Sequence, residues 1–198
     1  MNPQTFIFFG PSGCGKGTQA KLLVEQLKKN DSENDVIYIE TGQKFREFQK
    51  GTSLTSQYVK EILDQGGLIP EFMPIWIWTQ VFVENIKTGR EHMILDGLSR
   101  RADEAPILNS AMQFYKRENP FVISIELSDE VAAERLRNRG RADDNNLDIA
   151  ARLKWYKDNV VPAINYFRNN PYYKFIAVDG NRPIEEVHKE ILEKTIVD

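Results

Sequence analysis

The segment Gly10-Pro11-Ser12-Gly13-Cys14-Gly15-Lys16-Gly17-Thr18 holds the clearest chemistry in the chain. Its glycines let a backbone curl until successive amides point at one spot, which is what a polyphosphate needs. A helix that starts directly behind such a loop adds free N–H groups and the positive end of its dipole. Lys16 then supplies a mobile cation that reaches a transferring phosphate. The common pattern is Gly, four residues, Gly-Lys-Ser/Thr. Here Gly17 follows the lysine directly and Thr18 comes one position later. Cys14 reads as a small filler within the loop.

A second group is cationic. Arg135, Arg137, Arg139, Arg141 and Arg152 are five of the twelve arginines, gathered in one short stretch. Arg135 and Arg139 are four apart and so share a helix face. Taken alone they read as a solvated basic face paired with Asp129, Glu130 and Glu134. Beside a phosphate loop they read as an anion site, because guanidinium forks match phosphate oxygens. Asp96 closes the apolar run Met93-Ile94-Leu95. A carboxylate at the end of a parallel strand next to a phosphate loop is placed to order magnesium and its waters. His92 and His188 read as ordinary residues, and Trp76 and Trp78 as packing.

These groups need a frame. Thr5–Phe9 is a short, wholly apolar run, the mark of a strand buried on both faces. A helical pattern follows from Thr18 to Lys29, carried by Ala20, Leu23, Val24 and Leu27. Further strands are predicted at Val36–Glu40, His92–Asp96, Phe121–Leu127 and Lys174–Val178, with helical patterns between them. Ser128 and Asp129 cap a predicted helix that runs to about Arg139 and ends at Gly140; others are predicted over Leu147–Asn159 and Pro183–Glu193. Alternating strands and helices give a three-layer α/β fold with a five-stranded parallel sheet.

The 198 residues fit one domain, read as 1–198. With 26 basic and 29 acidic residues the net charge is −3, which argues against general affinity for nucleic acid. The single cysteine excludes an internal disulfide and a four-thiolate zinc site. No apolar run is long enough to span a bilayer, and the chain runs straight into its first strand, so the expectation is a cytoplasmic protein with no membrane partner.

The order of these motifs resembles the adenylate kinase family, the short-lid nucleoside monophosphate (NMP) kinases of the P-loop fold. Gly10 to Ala20, ending Gly-Lys-Gly-Thr-Gln-Ala, is similar to that family's phosphate loop. Thr41-Gly42-Gln43-Lys44-Phe45-Arg46, Gly67-Leu68-Ile69-Pro70 and Asp96-Gly97-Leu98-Ser99-Arg100 look like its acceptor-site motifs, Arg135 to Asp144 like its short lid, and Val178-Asp179-Gly180 like the loop beside the ATP base. The resemblance implies transfer of the γ-phosphoryl of ATP to AMP, giving two ADP, with Mg2+. It implies a mobile helical acceptor-binding segment at about 41–71 and a short lid at about 138–148. Gly13, Cys14, Gly15, Lys16, Gly17 and Thr18 would hold the ATP phosphates. Arg135 would lie on the ATP base, and Arg182 would contact that base through its backbone. Thr41, Arg46, Gly67, Leu68, Ile69, Gly97, Leu98, Ser99, Arg100 and Glu104 would form the acceptor site. Arg139, Arg141 and Arg152 would clamp phosphates, with Lys16 and Arg100 sharing the catalytic work. Asp96 would reach the metal through water. The short lid also suggests a monomer.

The acceptor site departs from the family at Gln43 (usually Asp), at Leu98-Ser99 (usually Phe-Pro) and at Glu104 (usually Gln). A glutamine both donates and accepts, whereas an ionised carboxylate only accepts. It would repel the lone pair of an adenine ring nitrogen and suit a base that presents a ring N–H. Thr41 points back toward AMP. A UMP/CMP, GMP or dTMP kinase is therefore the alternative. A non-catalytic nucleotide sensor is a more distant one, because it has no need of Lys16 and the whole arginine set. Gly17 and the acceptor motifs disfavour a small-metabolite kinase.

Overall fold

The computed structural model describes residues 2–65, 67–139 and 146–195. Five strands, β1 (Thr5–Phe9), β2 (Val36–Glu40), β3 (His92–Asp96), β4 (Phe121–Glu126) and β5 (Lys174–Asp179), form one parallel sheet in the order β2-β3-β1-β4-β5. Strand β1 is central, pairing Phe8 with Asp96 on one side and with Ile123 on the other. All five of its residues are buried.

The alternation of side chains along β1 builds the three layers. Phe6 and Phe8 face helices α1 (Lys16–Asn30) and α9 (Ile184–Thr195), in a core with Leu23, Leu27 and Ile191. Ile7 and Phe9 face the other way, toward α4 (Phe72–Asn85), α5 (Glu104–Phe114) and α8 (Val161–Arg168), in a core with Trp78, Leu108 and Phe167. Trp78 is thus a packing residue. Two smaller clusters lie outside the main layers. Phe45, Val59, Met73 and Ile77 join α2 (Thr41–Phe48) and α3 (Leu54–Asp64) to α4. Ala132, Leu136, Ile149 and Leu153 join α6 (Asp129–Arg139) to α7 (Asn146–Trp155).

The strand bounds agree with the sequence reading to within a residue. The helix predicted over Leu147–Asn159 instead runs on. Helix α7 passes into a π-helical stretch, Tyr156–Val160, and then into α8. Pro162 lies in the first turn of α8, where its missing N–H and fixed φ are tolerated, so it does not end the helical run. His92 is buried in β3, with Nδ1 accepting from the Gln4 amide at 3.1 Å and Nε2 3.2 Å from Asp31. It is a structural residue. No helix among the described residues is long and apolar enough to cross a membrane.

Because Phe8 is fully buried at the centre of the sheet, Phe8→Ala removes a large packed side chain and is expected to cost about 3–5 kcal/mol of stability. A urea unfolding curve with a correspondingly lower midpoint checks this.

Candidate active site

The C-terminal ends of the parallel strands all open onto one edge of the sheet, the usual ligand crevice of such folds. The phosphate loop leaves β1 at this edge and is wedged in place by contact with its neighbours. A Cβ at Gly10 would lie 2.5 Å from the Ile125 carbonyl oxygen of β4, and one at Gly13 would lie 2.9 Å from the Ala132 carbonyl oxygen of α6. Both glycines also have positive φ. No other residue fits there without displacing backbone. Lys16 Nζ donates to the carbonyls of Gly10 at 2.8 Å and Pro11 at 3.0 Å, folding its cation over the loop. Cys14 is buried, its sulfur 3.7 Å from Lys16 Nζ, and acts as filler. Helix α1 begins at Lys16, so its first-turn amides and positive pole face the loop.

Across the crevice stands Asp96, aligned with Phe8 of β1 and Glu40 of β2. It is 6% exposed. Burial pushes its carboxyl above the usual range; Glu40 adds to this, while Lys16 and Arg100 oppose it. Position 17 lies directly over it, with a would-be Cβ 3.5 Å from Asp96 Oδ2. Gly17 therefore leaves the space above this carboxylate open.

Thr41, the first residue of α2, and Gly97 each follow directly on the aligned pair of Glu40 and Asp96. Thr41 Oγ1 and Ser99 Oγ are both buried without a hydrogen-bond partner. Ser99 is fully buried and held at a φ of 52°. Orphaned buried hydroxyls are costly, so a pair of them in one crevice marks a place where a ligand completes the bonding. Leu98 packs into the main core at 1% exposure, so only its backbone can face a ligand. Ile69 is partly buried against the small cluster around Phe45, Leu68 is exposed, and Gly67 donates its amide to the Ile62 carbonyl.

Arg46 on α2 is drawn to Glu40 at 2.8 Å. Arg100 stacks over the Trp155 ring at 4.7 Å, with the charges of Asp96, Glu104 and Arg152 around it. Arg101 donates to the Ile69 carbonyl at 3.3 Å, tying the acceptor segment to the loop after β3. Glu104 opens α5 and is 2% exposed; its Oε2 accepts from the Arg100 amide at 3.1 Å. Burial pushes its carboxyl up to about 7, opposed by that amide and by Arg101. It is therefore not the plainly ionised carboxylate its residue type suggests.

The cationic group is split. Helices α6 and α7 pack on one another, setting Arg135 and Arg139 on one and the half-buried Arg152 on the other. Lys157, in the π-helical stretch after α7, pairs with Asp129 of α6. Arg139 is exposed at the end of α6. Arg141, with Gly140, Asp143 and Asp144, lies outside the described residues. Arg182 pairs with Glu190 of α9, so its side chain turns toward that helix. Glu40, Arg101 and Trp155 were not singled out from sequence. Trp155 is three residues past Arg152 and so shares its helix face, a signal that was there to read. The partnership of Glu40 depends on strand register and left no local trace.

A phosphate loop at the edge of a parallel sheet, with a lysine folded over it, a buried carboxylate opposite and arginines on the surrounding helices, defines a P-loop phosphotransferase. The adenylate kinase family model matches residues 8–172. The chain is 32% identical to an adenylate kinase of Prochlorococcus marinus (strain MIT 9515), over 95% of this chain and 96% of the relative. It is 34% identical to adenylate kinase 1 of Synechocystis, over 96% and 95%, and 31% identical to an adenylate kinase of Corynebacterium glutamicum (strain R), over 94% and 96%. The chain belongs to the adenylate kinase family.

The burial of Glu104 has a measurable consequence. Its folded pKa lies above the usual carboxylate value, so between about pH 4.5 and 7 the folded state binds more protons than the unfolded one. Stability from this group is present at low pH and lost as pH rises. Glu104→Gln is expected to raise the unfolding free energy by about 3 kcal/mol at pH 8 relative to its effect at pH 4. Denaturant melts of both proteins at the two pH values check this.

Proposed function

We propose that this chain transfers the γ-phosphoryl group of ATP to AMP, giving two ADP. The observation that carries the reading is the phosphate loop jammed against β4 and α6, with Lys16 over it and the buried Asp96 opposite. The names of the relatives favour AMP over the guanine and pyrimidine monophosphates.

The loop amides and the N-terminus of α1 hold the ATP phosphates, and Lys16 leaves the Gly10 and Pro11 carbonyls for the transferring group. Arg46 and Arg100 hold the AMP phosphate. Glu40 keeps Arg46 extended at the mouth of the crevice, and Trp155 carries the flat face of Arg100. Arg139, Arg141 and Arg152 close on the phosphates with the lid at about 138–148. Thr41, Gly67, Leu68, Ile69, Gly97, Leu98, Ser99 and Glu104 receive the nucleoside. Arg135 stacks on the ATP base, and Arg182 meets it through its backbone. An oxygen of the AMP phosphate forms the new bond to the γ-phosphorus as the bond to the β-phosphate oxygen breaks. That oxygen is already ionised, so no general base is required.

The residues present fit Mg2+. Asp96 is a buried carboxylate with no hydrogen bond to any described residue and open space above it at Gly17. Among the described residues no three carboxylate, histidine or thiol groups converge to hold a metal directly. Asp96 would hold the ion through water. The ion, when bound, neutralises charge on the phosphate oxygens.

Residues 41–71 meet α4 through a small cluster of Phe45, Val59, Met73 and Ile77 that is separate from the main core, which suits a segment that moves. Its closure, with that of the lid, keeps water from intercepting the phosphoryl group.

A coupled assay with Mg-ATP and AMP, GMP, CMP, UMP or dTMP at pH 7 tests the reading. AMP is expected to be the fastest acceptor, with Lys16→Ala lowering kcat by roughly 100- to 1,000-fold. Equal turnover of several acceptors, or full activity in Lys16→Ala, would overturn it.

A further inference from the structure

We propose that Glu104 reads the acceptor base as a neutral carboxylic acid, so that AMP is bound together with a proton and the choice of purine changes with pH. This rests on the AMP-kinase reading and adds to it how the base is selected.

The geometry fixes which oxygen carries the proton. Glu104 Oε2 accepts from the Arg100 amide at 3.1 Å, so it serves as the carbonyl oxygen of the acid. The proton then resides on Oε1, because the one hydrogen bond of this side chain among the described residues is made by Oε2. An O–H on Oε1 donates to a ring-nitrogen lone pair, as the nitrogen of a glutamine amide would. The ionised form can only accept, so it meets that lone pair with repulsion and favours a purine with an N–H at the same position. The two forms therefore prefer different bases: the acid takes a 6-amino purine and the anion a 6-oxo purine.

Surroundings as well as geometry favour the acid. Glu104 is 2% exposed, so ionising it in the closed crevice carries a desolvation cost. The charged groups that face it are Arg100 and Arg101 from the loop after β3 and Asp103 beside it. Both arginines have contacts of their own, although Arg101 Nη1 is buried without a hydrogen-bond partner. Arg100 lies over Trp155, and Arg101 donates to the Ile69 carbonyl with Glu71 3.6 Å away. Neither forms an ion pair with Glu104, and Asp103 opposes its charge. Beyond Glu104, α5 packs through Ala105, Leu108 and Met112 into the apolar core that also holds Trp78, Phe82, Ile164 and Phe167. The hydroxyls of Ser99, on the same loop, and of Thr41, at the start of α2, are buried and unpartnered.

AMP and IMP, which differ only at the 6-position and the adjoining ring nitrogen, are the probes. In the wild-type protein the ratio of kcat/KM for AMP to that for IMP is expected to fall by about 100-fold from pH 6 to pH 8, as the neutral form drops about tenfold and the ionised form gains about tenfold. The ratio cancels the titration of the phosphate and of shared catalytic groups. In Glu104→Gln the ratio is expected to be flat with pH. Calorimetry in buffers of different ionisation enthalpy gives a readout independent of turnover. At pH 8, AMP binding to the wild-type protein is expected to take up close to one proton more than binding to Glu104→Gln, and at pH 5.5 the difference is expected to vanish. A flat wild-type ratio, or equal proton uptake by the two proteins at pH 8, overturns the proposal and leaves the AMP-kinase reading standing. No phosphorylation or binding of AMP at any pH overturns both.

Discussion

Two backbone carbonyls occupy the space where side chains would stand at positions 10 and 13 of the phosphate loop. One belongs to β4 and the other to α6, so the loop is clamped between the sheet and the helix that carries Arg135 and Arg139. Everything the site does depends on that fit. It sets the curl of the loop, points Lys16 at the crevice, and fixes the distance between the loop and the arginine-bearing helices. It also explains why β1 is so strongly apolar. A strand buried on both faces and paired on both edges gives the loop a base that does not shift.

The second organising feature is charge held in partial desolvation. Asp96, Glu40 and Glu104 line the crevice among Lys16, Arg46, Arg100 and Arg101. Burial is the largest influence on both Asp96 and Glu104, and it favours their neutral forms. For Asp96 this makes the carboxylate receptive to a cation that restores its charge balance. For Glu104, with no cation paired to it, the same force favours a bound proton. Tyr38 belongs to this network, its hydroxyl pushed up by burial and by Asp96 and Glu40. One physical cause thus prepares two acidic residues for two different partners.

The inner strands β1 and β3 were legible because each is a short apolar run buried throughout, and the edge strands β2 and β5, only partly buried, still read as short runs of branched and aromatic residues. The phosphate loop was legible because its shape is a local matter of glycine spacing. The helix read over Leu147–Asn159 stops short of the observed run, which continues through Pro162 to Arg168. The π-helical stretch before the proline, which resets the helix so that Pro162 falls in a first turn, has no clear sequence signature. Glu104 was read as an ionised acceptor because residue type gives charge but not burial. Its burial comes from elements far along the chain, and the roles of Glu40 and Arg101 likewise follow from tertiary contacts.

The central claim is that this crevice brings two nucleotides together for direct phosphoryl transfer. Phosphorus NMR of the protein with equimolar Mg-ATP and AMP tests it most directly. The account predicts that the ATP and AMP signals decline together while only the two ADP resonances grow, with no inorganic phosphate. Loss of ATP with release of inorganic phosphate and unchanged AMP would contradict it.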